Sequence, residues 1–249
     1  MRKSAAEVHA IRAAGEVVAE VLASIGEILR PGMATAELDE LAASIASSRG
    51  TTPAFQGYRG FPARLCVSVN DTVVHGIPGE RMLRDGDLVS VDFACFKEGF
   101  CADGAETFFV GEASAQARRL VSVTREALWA GIGQARAGGR VGDIGAAVQR
   151  HVEAAGYSVV RTLVGHGVGR ELHEPPQVPN FGAPGTGMRL EPGMVLAIEP
   201  MVNLGGAAVK ILEDGWSVVT TDGSLSAHIE HTVAITTRGA EVLTQLCRR

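Results

Sequence analysis

Four carboxylates and one imidazole interrupt otherwise apolar stretches of this sequence. Asp92 ends the run DLVSVD, and Asp103 follows eleven residues later, after FACFKEGFCA. Glu199 ends MVLAIE, Glu230 lies inside SAHIEHTVAI, and His166 sits in GHGVG. Carboxylates are rarely buried without a partner. Lys97-Glu98-Gly99 reads as a turn, and a hairpin centred there places Asp92 and Asp103 nearly opposite each other, with Cβ atoms about 5 Å apart. Two like charges at that spacing repel, and a cation between them reverses the sign. Alone, the pair reads equally well as two solvated aspartates flanking a hairpin. With Glu199, Glu230 and His166 it becomes an oxygen-rich donor set without thiolate. Such a set suits divalent Mn, Fe, Co or Zn better than it suits a cysteine-type structural zinc site. One divalent ion leaves four carboxylates with surplus charge, whereas two balance them. Two ions also create a hydrolytic arrangement, with a bridging water acidic enough to be hydroxide near neutral pH.

A second histidine, His173, lies seven positions after His166 in GHGVGRELHEPP. Gly165, Gly167, Gly169 and Pro175-Pro176 argue against a helix there. An ideal strand would separate the two side chains by roughly 23 Å and point them opposite ways. The chain must therefore bend if both serve one site, and the glycines make bending cheap.

These groups need a scaffold. The chain has 249 residues, 46% hydrophobic and 20% charged, with a formal net charge of −5. That is an ordinary globular composition, long enough for a sizeable core. No basic run points to nucleic acid. No apolar stretch approaches the length of a membrane span, and the N-terminus lacks the apolar segment of an export signal. Cys66, Cys95, Cys101 and Cys247 form no CxxC pair, so free thiols in a reducing cytoplasm are expected. Apolar periodicity predicts helices over 4–29, 35–48, 114–137 and 143–155, with Thr35 as N-cap of the second. Strands are predicted over 65–74, 86–96, 158–164, 194–199, 206–212, 215–220 and 226–236. The order helices–strands–helices–strands hides a repeat. Residues 31–50 align with 137–156, pairing Gly32 with Gly138, Glu37 with Asp143 and Gly50 with Gly156. LRDGDLVSVD aligns with LEPGMVLAIE, so Asp92 falls on Glu199, and HGIP resembles HEPP. A duplicated unit, about 4–110 and 111–240, would set corresponding strand ends around one central cleft. It also pairs His173 with His75, leaving His166 with the carboxylates.

The segments SVNDTVVHGIP, DGDLVSVD with CADGAETF, GHGVGRELHEPPQVPNF, GMVLAIEPMV and DGWSVVTTDGSLSAHIEHT, in this order, resemble the type I methionine aminopeptidases in their short bacterial form. The resemblance runs from the first helix to Leu243. It implies an α/β (α+β) pita-bread fold: one catalytic domain over 1–249, with pseudo-two-fold helix-helix-strand units and antiparallel sheets around a dinuclear cleft. It implies that Asp92, Asp103, His166, Glu199 and Glu230 bind two divalent ions (Co, Mn, Fe or Zn), Asp103 and Glu230 bridging them. A bridging hydroxide would attack the carbonyl of an N-terminal methionine, and Glu199 would shuttle the proton to the leaving amine. His173 would stabilise the charge developing on the amide oxygen, and His75 would hydrogen-bond the substrate. Tyr58, Phe61, Cys66, Leu172, Met201 and Trp216 would line the methionine pocket. Backbone carbonyls of Asn70, Thr72 and Ser226 would hold one Na or K ion. Substrates would be peptides and nascent polypeptides with a small second residue. The ribosome is a further partner of the resemblance, although no docking module is visible. The protein would act as a monomer in the cytoplasm.

Three features depart from the family pattern. Gly104-Ala105 stands where many relatives carry a hydroxyl, which would loosen the support of Asp103. Leu172 and Phe55 alter the expected size of the pocket. His231 points to the opposite strand face from Glu230 and reads as structural. His9 and His151 fall on helices, and His228 reads as a rim residue. Cys101 shares a strand face with Asp103, and Arg170 and Gln177 are candidates for ordering the loop around His173. Two alternatives remain from the sequence. One is an Xaa-Pro peptidase of the same fold, which usually adds a large N-terminal domain. The other is a non-catalytic binding protein, although such proteins lose ligands and all five are present here.

Overall fold

A computed structural model describes residues 2–245; Cys247 lies outside them. Two helices open the chain, α1 (Ala5–Ile28) and α2 (Thr35–Ser48), followed by strands β1 (Thr52–Pro53), β2 (Cys66–Val69), β3 (Thr72–Val74), β4 (Leu88–Lys97) and β5 (Phe100–Phe109). Two more helices, α3 (Ala115–Ile132) and α4 (Val141–Ala154), precede β6 (Ser158–Val159), β7 (Gly165–Gly167), β8 (Glu174–Val178), β9 (Val195–Ile198) and β10 (Met201–Asn203). The chain ends with β11 (Val209–Ile211), β12 (Val218–Thr220), β13 (Ser226–His228), β14 (Glu230–Thr236) and β15 (Gly239–Val242). The mixed α/β pita-bread architecture follows from this order. The largest sheet runs β1-β4-β5-β14-β9-β7-β8 and joins both halves through β5 and β14. One apolar core packs α1 and α2 against the first-half strands, with Ile11, Val18, Leu38 and Phe93 at its centre. A second packs α3 and α4 against the later strands, around Leu120, Leu128, Ile144 and Leu196.

Aligned positions make corresponding contacts in the two halves. Glu37 accepts the amide of Ala34, and Asp143 accepts that of Arg140. Each carboxylate thereby satisfies a free N–H at a helix start. Gly32 donates to Leu83 and Gly138 to Leu190, and both glycines have positive φ. Ala34 bridges to Met82 as Arg140 does to Arg189. Thr35 is the first helical residue and Ala34 the N-cap, because the Thr35 hydroxyl is bonded to the backbone of Gly79 instead.

Several predicted elements are shorter or split. Residues 65–74 form two strands, since Asn70 turns the chain at φ 59 while its amide holds Asp87 and Leu88. Asparagine tolerates this region because its short polar side chain bonds locally. Helix α3 stops at Ile132, with Gly133 as its cap. Residues 226–236 change partners at Ile229: β13 pairs with β10, whereas β14 pairs with β5 and β9. Strand β8 contains Pro175-Pro176 and is unmarked by apolar alternation. It sits at the end of the sheet, where proline's missing donor is tolerated.

Candidate metal centre and its pocket

Five successive strands of the large sheet, β4, β5, β14, β9 and β7, each bring one polar group to the same place. Asp92 lies on β4, Asp103 on β5, Glu230 on β14 and His166 on β7, with Glu199 just past β9. The β4–β5 hairpin turns on Glu98-Gly99, both with positive φ, as a two-residue turn between right-twisted strands requires. That register sets Asp92 opposite Ala105 and Asp103 opposite Ala94. The two aspartates are therefore diagonal neighbours on one face rather than directly opposed, because the turn is centred half a residue later than predicted. Ala105 also pairs with Glu230, so a small side chain separates Asp92 from Glu230.

All five groups are buried or nearly so. His166 Nε2 lies 3.4 Å from Glu199 Oε1 and 3.8 Å from Asp103 Oδ2. Its Nδ1 is 2.9 Å from the Gly167 carbonyl, which can only accept, so Nδ1 carries the proton and Nε2 presents a lone pair. Burial pulls the imidazole down to about 4, keeping it neutral. Burial pushes Asp103 up to about 6, against the hydrogen bonds from Asp92 and the Gly104 amide. Asp92, Glu199 and Glu230 are pushed well above the usual carboxylate range, first by burial and then by the charge of neighbouring carboxylates, Asp103 foremost. Asp92 Oδ1 and Glu230 Oε1 are buried without a hydrogen-bond partner. Buried carboxyl oxygens left without partners fit a cation, and the mixed carboxylate–imidazole set fits a divalent metal.

Thr232 supports Asp103: its hydroxyl accepts from the Asp103 amide at 3.0 Å and donates to the Asp103 carbonyl at 2.7 Å. The carboxylate itself takes the Gly104 amide at 2.9 Å. Asn180, buried, donates to the Glu199 carbonyl. Neither Thr232 nor Asn180 was visible as a partner in the sequence, because both reach across from distant segments.

A cavity of about 190 Å³ opens beside these residues. A water needs only roughly 10–15 Å³, so there is room for a side chain. Tyr58, Phe61, Cys66 and His75 line it, as do Leu172, His173, Met201 and Trp216, so every expected pocket residue reaches it. Phe55, Arg59, Val74, Leu163 and Val164 line it too. The last three immediately precede His75 or the GHG segment, a proximity that could have flagged them. Phe61 meets the Trp216 ring edge-on at 5.1 Å, and His75 meets it at 6.3 Å. His173 shares a 2.8 Å hydrogen bond through Nδ1 with the Tyr58 hydroxyl, and its ring lies 4.1 Å from that of His166. Burial, then His166, Arg59 and His75, pulls His173 down to about 3. Asn70 and Ser226 are also adjacent, Ser226 N donating to Asn70 O at 2.9 Å, with Thr72 on the neighbouring strand β3.

The glycines of this segment serve close approach rather than a left-handed turn. None of Gly165, Gly167 and Gly169 has positive φ. Instead, a Cβ on Gly167 would collide with the Pro175 carbonyl oxygen, and one on Gly165 with that of Ala197. These glycines permit close strand approach. Gly167→Ala should therefore lower stability by about 1–3 kcal/mol, read as a lower melting temperature. An unchanged melting temperature would mean that β7 and β8 have room to spare.

His231 faces away as expected, bonded to Thr244 and edge-on to Trp129. Arg170 binds Glu7 and lies over Phe100, while its amide donates to Glu174, whose other oxygen takes the buried Lys3 ammonium at 2.6 Å. Gln177 pairs with His166 along the β7–β8 ladder. Cys101 is buried with its sulfur toward Ala102 O. His228 is no rim residue. It is 1% exposed, and its Nε2 lies 3.9 Å from both Glu199 and Glu230. Strand parity with Glu230, two residues on, was the available signal.

Residues 9–237 match the model of metallopeptidase family M24. A methionine aminopeptidase of Clostridium perfringens is 51% identical over 242 residues, covering 97% of each chain. The crystal structure of methionine aminopeptidase from Thermotoga maritima superposes with a TM-score of 0.97 at 45% identity, covering 98% of this chain and 99% of that one. A prolidase from Pyrococcus furiosus shares the fold alone, with a TM-score of 0.81 at 23% identity and 66% of its own length covered.

Proposed function

The chain belongs to the methionine aminopeptidases of metallopeptidase family M24, and from that premise we propose how its residues carry out the hydrolysis. The observation that carries this reading is the convergence of five buried carboxylate and imidazole groups beside a cavity with apolar and sulfur-bearing walls. Asp92, Asp103, His166, Glu199 and Glu230 would hold two divalent ions. Their oxygen and nitrogen atoms suit Mn, Fe, Co or Zn. Such ions, when bound, act as Lewis acids and make water nucleophilic near neutral pH.

Phe61, Cys66, Met201 and Trp216 receive the methionine side chain; soft, polarizable contacts favour its thioether. This seats the first peptide bond against the carboxylates. His173 keeps Nδ1 on Tyr58 and turns Nε2 toward the substrate, where a donor stabilises charge on the amide oxygen. His75, at φ 60 in a left-handed backbone conformation and lining the same cavity, orients the substrate. A Glu199 carboxylate oxygen accepts the proton of the attacking water and returns it to the leaving amine. A small second residue would be preferred. One catalytic domain with an internal repeat, about 4–110 and 111–240, accounts for the corresponding hydrogen bonds. Three buried free thiols suit a reducing cytoplasm, where the protein would meet nascent chains as a monomer. The adjacent Asn70 and Ser226 backbones, with Thr72, offer carbonyls for a monovalent cation.

Purified protein titrated with each metal should release methionine from Met-Ala-Ser and leave Xaa-Pro peptides intact. Cleavage of the Xaa-Pro peptide alone would instead assign a prolidase-like activity.

A further inference from the structure

His228 lies outside the five groups that the proposed chemistry uses, yet it is as deeply placed as any of them. Its imidazole is 1% exposed, and Nε2 has no hydrogen-bond partner. A buried, unpartnered polar nitrogen is costly unless something fills its lone pair or takes its proton. What faces it is carboxylate: Glu199 Oε2 and Glu230 Oε2, each at 3.9 Å. That is too long for a hydrogen bond. Two donors each about 2.1 Å from one ion can lie at most about 4.2 Å apart. The His228 distances fall inside that limit, as do those from His166 to Glu199 and Asp103.

The position of His228 is fixed rather than accidental. Ile229 separates it from Glu230, so strand parity turns both side chains to one side. Its peptide is gripped by a hydroxyl pair: Thr107 Oγ1 donates to the His228 carbonyl at 2.7 Å, and the His228 amide reaches Thr107 Oγ1 and Ser90 Oγ. Glu199 stands between two imidazoles, with Oε1 toward His166 and Oε2 toward His228. The donor atoms thus fall into two triads that share Glu230, namely Asp103–His166–Glu230 and Glu199–His228–Glu230.

We propose that His228 Nε2 is a direct ligand of the metal centre, completing a second nitrogen-containing donor set with Glu199 and Glu230. This rests on the reading of the five-residue cluster as a metal site and extends it. A second imidazole shifts the centre toward metals that favour nitrogen, so removing it weakens Zn and Co binding more than Mn binding.

The test uses full-length protein labelled with 15N in its histidine rings, compared metal-free and saturated with Zn. Expected is a metal-induced shift of Nε2 for both His166 and His228. His228→Gln should remove one of the two shifted signals and weaken Zn binding in calorimetry at least about tenfold, with a smaller change for Mn. If the His166 signal shifts and the His228 signal does not, His228 is no ligand and the five-residue metal site stands. If neither shifts, the metal-site reading itself fails. The wild-type spectra decide between these outcomes even if the variant does not fold.

Discussion

Asp103→Ala should reduce turnover of Met-Ala-Ser by about a thousandfold or more while the protein still folds. Loss of an electrostatic contribution of several kcal/mol corresponds to that factor, at about 1.4 kcal/mol per tenfold. Asp103 stands at the centre of the cluster. It is the leading neighbouring charge acting on both Glu199 and Glu230, and its Oδ2 faces His166 Nε2. Removing its side chain takes away one of the proposed donors. The fold should tolerate the change because Thr232 holds the Asp103 backbone, not its carboxylate. The metal-free protein also loses a buried like-charge conflict, so its melting temperature should hold or rise. Turnover, metal content after dialysis and thermal melting together check this. Undiminished turnover in the variant would sink the metal-centre assignment.

The second large effect separates two histidines that nearly touch. Their rings are 4.1 Å apart, yet their nitrogens face different partners. His166 Nε2 faces Asp103 and Glu199, whereas His173 Nδ1 is bonded to Tyr58. His166→Ala should therefore lower metal content and affinity, and activity with them. His173→Ala should retain metal and lose kcat by roughly 10²–10³-fold, the scale of a missing donor at a developing negative charge. KM should change little if that donor acts mainly in the transition state. Metal stoichiometry and steady-state kinetics on the same preparations make the comparison. Equal metal loss in both variants would give the two residues one shared role.

Local chemistry was legible without coordinates. An acid that interrupts an apolar run must find a partner, so Asp92, Asp103, Glu199 and Glu230 stood out one by one. Strand parity set His231 apart from Glu230, and the same parity, applied two residues before Glu230, would have joined His228 to it. The repeat was readable because its signals, Gly32 and Gly138 or Glu37 and Asp143, act within a single turn or helix start.

What the sequence determined by itself was the candidate donor residues, the family resemblance and the helices, with separate expectations for His166 and His173. Each depends on residue type and short spacing. Only the tertiary structure decided the rest. It set Asp92 diagonal to Asp103, because a two-residue turn chooses the register. It showed that Gly167 is needed for the approach of Pro175, a contact invisible along the chain. It brought Thr232 to Asp103, Asn180 to Glu199 and His228 to both glutamates. Thr232 lies on the strand beside Asp103, Asn180 just after β8 and His228 on β13, and tertiary packing, which side-chain period alone does not encode, sets them against Asp103 and Glu199.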